Sequence, residues 1–158
     1  MLVPAILYKE QIIKEFQKLY YTEDMLFETG GVGNWCPEIK DRPEDYEMQF
    51  AIVSGDKLIG YLGYYIDWYA DKAYNFGLIS FDRGNPIIGK SLFNELERLV
   101  KRHHRIEWRM VGGNPVERNY DQLHRGNKHV LKDAIRDSEG NYHDDIIYEI
   151  IQEDRAND

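Results

Sequence analysis

Gly84-Asn85-Pro86-Ile87-Ile88-Gly89-Lys90-Ser91 is the stretch on which the reading of this chain turns. It satisfies G-x-x-x-x-G-K-[ST], the pattern of a loop that cradles phosphates. The apolar run Phe76-Gly77-Leu78-Ile79-Ser80-Phe81 before it reads as a strand. Ser91 to Val100 after it carries Leu92, Phe93, Leu96, Leu99 and Val100 at helical spacing. Such a strand–loop–helix junction leaves several backbone N–H groups unpaired at the positive end of a helix dipole, a place for a pyrophosphate. Which pyrophosphate it takes depends on the elements around it.

Upstream, Lys9 to Tyr20 sets Ile12, Ile13, Phe16, Leu19 and Tyr20 on one face of an amphipathic helix. Gly30 to Asp45, with three glycines and the prolines Pro37 and Pro43, reads as a long loop, the kind that is often functional. Phe50–Val53 and Lys57–Ile66 form a hairpin about Ser54-Gly55-Asp56, and Tyr74–Phe81 continues the meander. Downstream, the helix runs to about His103 and Ile106–Val111 is a strand. Gly112-Gly113-Asn114-Pro115 breaks that strand ahead of a short helix, Val116–Leu123. Val130–Arg136 and Tyr142–Ile151 close the chain as a hairpin. Antiparallel connections dominate, and only the crossover helix after Phe81 permits a parallel pair. These elements fit one α+β domain over residues 1–152, with 153–158 a polar tail.

The bulk numbers exclude several classes. A net charge of −8 repels phosphate backbones, which argues against nucleic acid as a partner and leans towards a cationic substrate. The single cysteine, Cys36, forbids an internal disulfide and fits a reducing, cytoplasmic setting. Neither a membrane span nor a secretory signal is expected, and the five histidines show no metal-ligand spacing.

A literal nucleoside-triphosphatase reading would give Lys90 the β- and γ-phosphates and Ser91 a magnesium ion. It also needs further β–α units and an acid at the end of a second parallel strand. The chain offers a hairpin instead. The element order, and the glycine-rich turn between a strand and a long helix, resemble the GNAT superfamily of acyl-CoA-dependent N-acyltransferases over about residues 48 to 151. Ile88-Gly89-Lys90-Ser91 is similar to the end of that family's signature [QR]-x-x-G-x-[GA]. The hairpin from Leu131 to Tyr148 is similar to its ribosomal-protein-acetyltransferase-like branch. Ile87 stands where the signature has its middle glycine, so the loop here needs a somewhat different backbone.

The resemblance implies a three-layer α/β/α fold whose mixed, mostly antiparallel sheet splays between the fourth and fifth strands to hold acetyl-CoA. It implies direct transfer of the acetyl group to a primary amine of a small molecule or protein. Backbone amides of Gly84, Asn85, Ile88, Gly89 and Lys90 would hold the pyrophosphate, the alternative being a plain helix N-terminus. Leu78, Ile79 and Ser80 would meet the pantetheine through their backbones. Asn114 would either bond pantetheine or simply turn the chain before Pro115. Tyr120 is the candidate general acid for the leaving thiolate, or else a core tyrosine. Arg118 would pair with a phosphate or lie on a solvated helix face. Glu28, Asp67, Asp71 and Glu107 are candidate general bases that spacing does not separate. Members of the superfamily often dimerise, so a homodimer is a further expectation. A module that binds coenzyme A or a partner without transferring anything is the rival from another class.

Overall fold

The computed structural model describes residues 1–19, 36–123 and 127–152. The elements run β1 (Leu2–Pro4), a 3-10 turn (Ala5–Tyr8), α1 (Lys9–Leu19), β2 (Glu47–Ser54), β3 (Lys57–Asp67), β4 (Lys72–Ser80), α2 (Pro86–Val100), β5 (Arg105–Val111), α3 (Glu117–Leu123), β6 (Asn127–Arg136) and β7 (Tyr142–Ile151). The strands form one sheet in the order β1-β2-β3-β4-β5-β7-β6. Only β4 and β5 run parallel, joined across the sheet by α2.

Side-chain alternation divides the sheet into two faces. Ala51, Val53, Tyr61 and Ile79 pack against Ile12 and Phe16 of α1. Ile52, Leu62, Tyr64, Ile106, Trp108 and Tyr148 point the other way, onto Ile88, Leu92, Leu96 and Leu99 of α2 and Tyr120 of α3. This is the expected three-layer arrangement. Among the described residues no helix is long and apolar enough to cross a membrane, and no group of three His, Cys, Asp or Glu could hold a metal ion.

Two differences from the sequence expectation matter. The sheet has a strand more than the six expected. β1 pairs Leu2, Val3 and Pro4 with Ile52, Ala51 and Phe50, and the Met1 ammonium donates to the Val53 carbonyl. Three residues are too few to show a period-2 pattern, and their partners are some fifty positions away. β2 begins at Glu47 rather than Phe50, because Glu47, Met48 and Gln49 pair with Tyr65, Tyr64 and Gly63. The long loop expected from Gly30 to Asp45 lies partly outside the described residues.

The sheet is open between β4 and β5. The two strands pair only at Lys72–Arg105 and Ala73–Ile106. Just beyond, Asn75 adopts a left-handed backbone (φ 53°) and the β3–β4 register shifts between Gly63 and Tyr65. Asparagine tolerates that conformation, and a bulge of this kind bends its strand. β4 stays with β3 as far as Ser80, while β5 stays with β7 as far as Val111. The rest of the two strands therefore diverges, with one backbone edge of each facing an opening.

Gly60 holds the upper end of β4 close to α2. A Cβ there would stand 2.8 Å from the Ile79 carbonyl oxygen and 2.8 Å from Cδ1 of Ile88. Gly60→Ala is expected to lower stability by about 2 kcal/mol, because the backbone oxygen cannot move aside cheaply. The check is a melting temperature roughly 5 °C lower in a thermal scan.

Candidate active site

The opening is the mouth of a cleft of about 1520 Å³. That exceeds the roughly 300–1,000 Å³ of ordinary small-molecule sites and suits a long ligand. One wall is β4 from Asn75 to Ser80, the other is β5 from Trp108 to Val111, and the N-terminal turn of α2 closes one end. Leu78, Ile79, Ser80, Gly84, Asn85, Ile88, Gly89, Lys90, Asn114 and Tyr120 all border this one cleft. Arg118 does not; it is exposed on α3, in keeping with a solvated helix face.

The loop is built differently from the expectation. Asn85 is the N-cap of α2 and Pro86 its first residue. The Asn85 Oδ1 accepts from the Ile87 N–H at 3.0 Å, and its backbone carbonyl accepts from the Ile88 N–H at 3.1 Å. The Asn85 N–H donates to the Asp82 carbonyl at 3.1 Å. Of the five amides expected to hold the pyrophosphate, those of Asn85 and Ile88 are thus engaged within the loop, while the Gly84 N–H makes no hydrogen bond among the described residues. The left-handed position of the loop is Gly84 (φ 82°), so Ile87 sits in ordinary helical backbone without strain. This is how the chain does without the signature's middle glycine.

Two features of the loop suit a phosphate. A Cβ on Gly89 would meet only Cε2 of Phe93, at 4.0 Å. No protein atom requires glycine there, although glycine inside a helix costs about 1 kcal/mol relative to alanine. The space above Gly89 leaves room for a ligand to approach the helix backbone. Lys90 is exposed and without an ion pair among the described residues, and Arg83 borders the same end of the cleft. Asp82 acts against them. The Asn85 amide at 3.0 Å and Lys57 at 3.6 Å hold its carboxyl below the usual range, so it stays charged.

The same geometry removes the triphosphatase reading. α2 starts at Pro86, which puts Lys90 and Ser91 in its second turn, and Ser91 is buried. Its hydroxyl is not presented to a metal beside a terminal phosphate.

At the other end of the opening stand the aromatic side chains. Tyr120 is buried among Phe93, Trp108 and Tyr148, with ring centroids 6.0, 5.8 and 5.6 Å away. Burial pushes its phenol well above the ordinary value, so it keeps its proton at any physiological pH. Tyr64 stacks on Phe76 of β4 at 4.9 Å and bonds Glu95. Burial disfavours the charge on Glu95, but Arg98 and Tyr64 outweigh it and hold the carboxyl below its usual range. Asn114 turns the chain: its Oδ1 accepts from the Val116 N–H at 3.1 Å, and its carbonyl from the Glu117 N–H at 2.9 Å. It does this at the rim of the cleft, so the turn role leaves it bordering the opening.

None of the described base candidates borders the cleft. Asp67 caps its own turn, accepting from the Tyr69 and Ala70 N–H groups. Asp71 is bound to His103 and the His104 N–H. Burial works against the charge on Glu107, yet Arg105 and Lys72 hold its carboxyl below the usual range, which makes it a poor base. Glu28 lies outside the described residues. The carboxylates that do border the cleft are Glu38, Glu47 and Asp145. A strand start at Glu47 rather than Phe50 would have drawn attention to Glu47.

A mixed seven-stranded sheet opened between β4 and β5, with a loop-capped helix across the opening, is the fold of N-acetyltransferases of the GNAT type. Solved structures with this fold include a spermidine/spermine N-acetyltransferase of Vibrio cholerae, at TM-score 0.59 and 19% identity over 72% of this chain and 70% of that one. A probable GNAT-family acetyltransferase of Chromobacterium violaceum aligns at TM-score 0.58 and 15% identity over 70% and 62%. A putative acetyltransferase of T. thermophilus aligns at 0.55 and 20% over 72% and 63%. The chain thus spans less than two thirds of the Chromobacterium and T. thermophilus proteins. At these identities the likeness is one of fold. No protein-family model matches the sequence, and no curated protein matches it significantly.

Proposed function

We propose that this protein is an N-acetyltransferase that moves an acetyl group from acetyl-CoA directly to a primary amine. The observation that carries the reading is the opening between β4 and β5, which leads from the aromatic cluster to the loop before α2. Tyr74 to Ser80 is six strand steps, about 20 Å, a length that suits an extended pantetheine arm. In this reading the free backbone edge of Leu78, Ile79 and Ser80 bonds the arm's amides. Gly84, Gly89 and Lys90 receive the pyrophosphate, the Ile88 amide joins them once its bond to the Asn85 carbonyl yields, and Asn114 steadies the opposite wall. Backbone N–H groups at the bulge stabilise the developing oxyanion. Tyr120 gives its proton to the departing thiolate. The acceptor is an amine of a small molecule or a protein, as spermidine is for the Vibrio enzyme. The reading takes residues 1–152 as one cytoplasmic domain, able to form a homodimer and related to the ribosomal-protein-acetyltransferase-like branch through its terminal hairpin.

The test is incubation with acetyl-CoA and a panel of primary amines, read by thiol release and by mass spectrometry. An amine gaining one acetyl group supports transfer. Acetyl-CoA bound but never consumed supports a second reading, a binding module. The engagement of the Ile87 and Ile88 amides by Asn85 is the observation that favours it.

A further inference from the structure

We propose that Glu47 is the group that receives the acceptor's ammonium and removes its proton, a step that rests on the acetyl-transfer reading. Of the three described carboxylates that border the cleft, two are already ion-paired. Glu38 is paired with Lys40 at 2.9 Å, and Asp145 with Arg109. Glu47 has no ion pair among the described residues. Its Oε1 accepts from two neutral donors, the Tyr65 hydroxyl at 3.1 Å and the Gln49 amide at 3.4 Å, and its Oε2 makes no hydrogen bond there. Among the described residues it is therefore the cleft carboxylate with no cation beside it.

Its position follows from the register. Glu47 pairs with Tyr65, and Tyr65 with Tyr74, so the three lie in one row on the α1 face. The Tyr65 and Tyr74 rings are 5.9 Å apart. That row ends beside Asn75, where β4 leaves β5. The residues that border the cleft here include Tyr64 and Phe76, on the α2 face of the sheet, and Glu47, Tyr61 and Tyr65, on the α1 face. An acyl group delivered along β4 arrives at the bulge, and an amine entering from the α1 face meets it past Glu47. Both neighbouring phenols are held protonated. Burial and the Glu47 carboxylate push Tyr65 up, and burial pushes Tyr61 up, so neither competes as a base.

The protons and bonds balance. Glu47 takes one proton from R–NH3⁺ and passes it to solvent. The freed nitrogen lone pair forms the C–N bond as the C–S bond breaks. Sulfur takes the Tyr120 proton, and the second nitrogen proton returns through solvent to the phenolate. The net reaction is R–NH3⁺ plus acetyl-CoA to R–NH–acetyl, CoA–SH and H⁺.

The experiment compares wild type, Glu47→Gln and a control, Glu107→Gln, at neutral pH. The acceptors are an amine panel (spermidine, a lysine peptide and an aminoglycoside) and hydroxylamine, which is already a free base at that pH. Calorimetry with acetyl-CoA on each variant establishes that the donor site is intact. The expected result is a loss of about 100-fold in kcat/KM for the amines in Glu47→Gln, with hydroxylamine and acetyl-CoA affinity within about threefold and the control near wild type. Equal loss with amines and hydroxylamine, or no loss with either, overturns the assignment of Glu47 and leaves acetyl transfer standing. A wild type that binds acetyl-CoA but acetylates neither the panel nor hydroxylamine overturns the transfer reading and this assignment together.

Discussion

Gly89→Leu is expected to abolish acetyl-CoA binding while leaving the fold at least as stable as before. The two effects have opposite signs, which makes the prediction sharp. A Cβ at position 89 touches only the edge of Phe93 at 4.0 Å, so the protein has room for a side chain. Leucine is also a far better helix former than glycine, by about 0.5–1 kcal/mol. No described residue explains the glycine, and a ligand passing close over the helix backbone would. The leucine would occupy that space, lowering affinity by at least about 100-fold, or roughly 2.7 kcal/mol. Calorimetry beside a thermal melt reads both quantities. Retained binding would mean that the phosphate end of the ligand does not rest on this turn.

The second large effect is on turnover. Tyr120→Phe is expected to lower kcat by about 100-fold, the usual size of a general-acid contribution, and to leave KM for acetyl-CoA within about threefold. The phenylalanine ring preserves the packing against Phe93, Trp108 and Tyr148. The pH dependence has a definite sign. Burial raises the Tyr120 pKa above its ordinary value of 10, so the protonated, donating form persists further into alkali. Wild-type kcat should show no fall from this group below about pH 10. Unchanged turnover in the phenylalanine variant would leave Tyr120 a core residue.

Much of this was legible in the sequence, because it rests on local signals. Strand, glycine turn and helix around Gly84–Ser91 follow from periodicity, although the helix begins at Pro86, capped by Asn85, and not at Ser91. The loop residues, Leu78 to Ser80, Asn114 and Tyr120 all border one cleft. The rest depends on pairings distant in sequence. β1 exists because Leu2–Pro4 meets Phe50–Ile52. The opening depends on the left-handed backbone at Asn75, which no pattern in Tyr74-Asn75-Phe76 announces. The availability of Glu47 depends on which carboxylates find cations. The sequence offers Glu107 as a candidate base and passes over Glu47; only the fold brings Lys72 and Arg105 to Glu107 and leaves Glu47 with neutral donors among the described residues. The complete match to G-x-x-x-x-G-K-[ST] misleads for a related reason. The pattern fixes residue types, but the helix start at Pro86 moves Lys90 and Ser91 into the second turn.

The central claim is that the cleft between β4 and β5 holds acetyl-CoA. Isothermal calorimetry of the wild-type chain against acetyl-CoA, with ATP and magnesium titrated in parallel, tests it most directly. The account predicts one-site binding of acetyl-CoA with a Kd of order micromolar, about −8 kcal/mol, and no heat from ATP. Binding of ATP alone, or of neither, would contradict it.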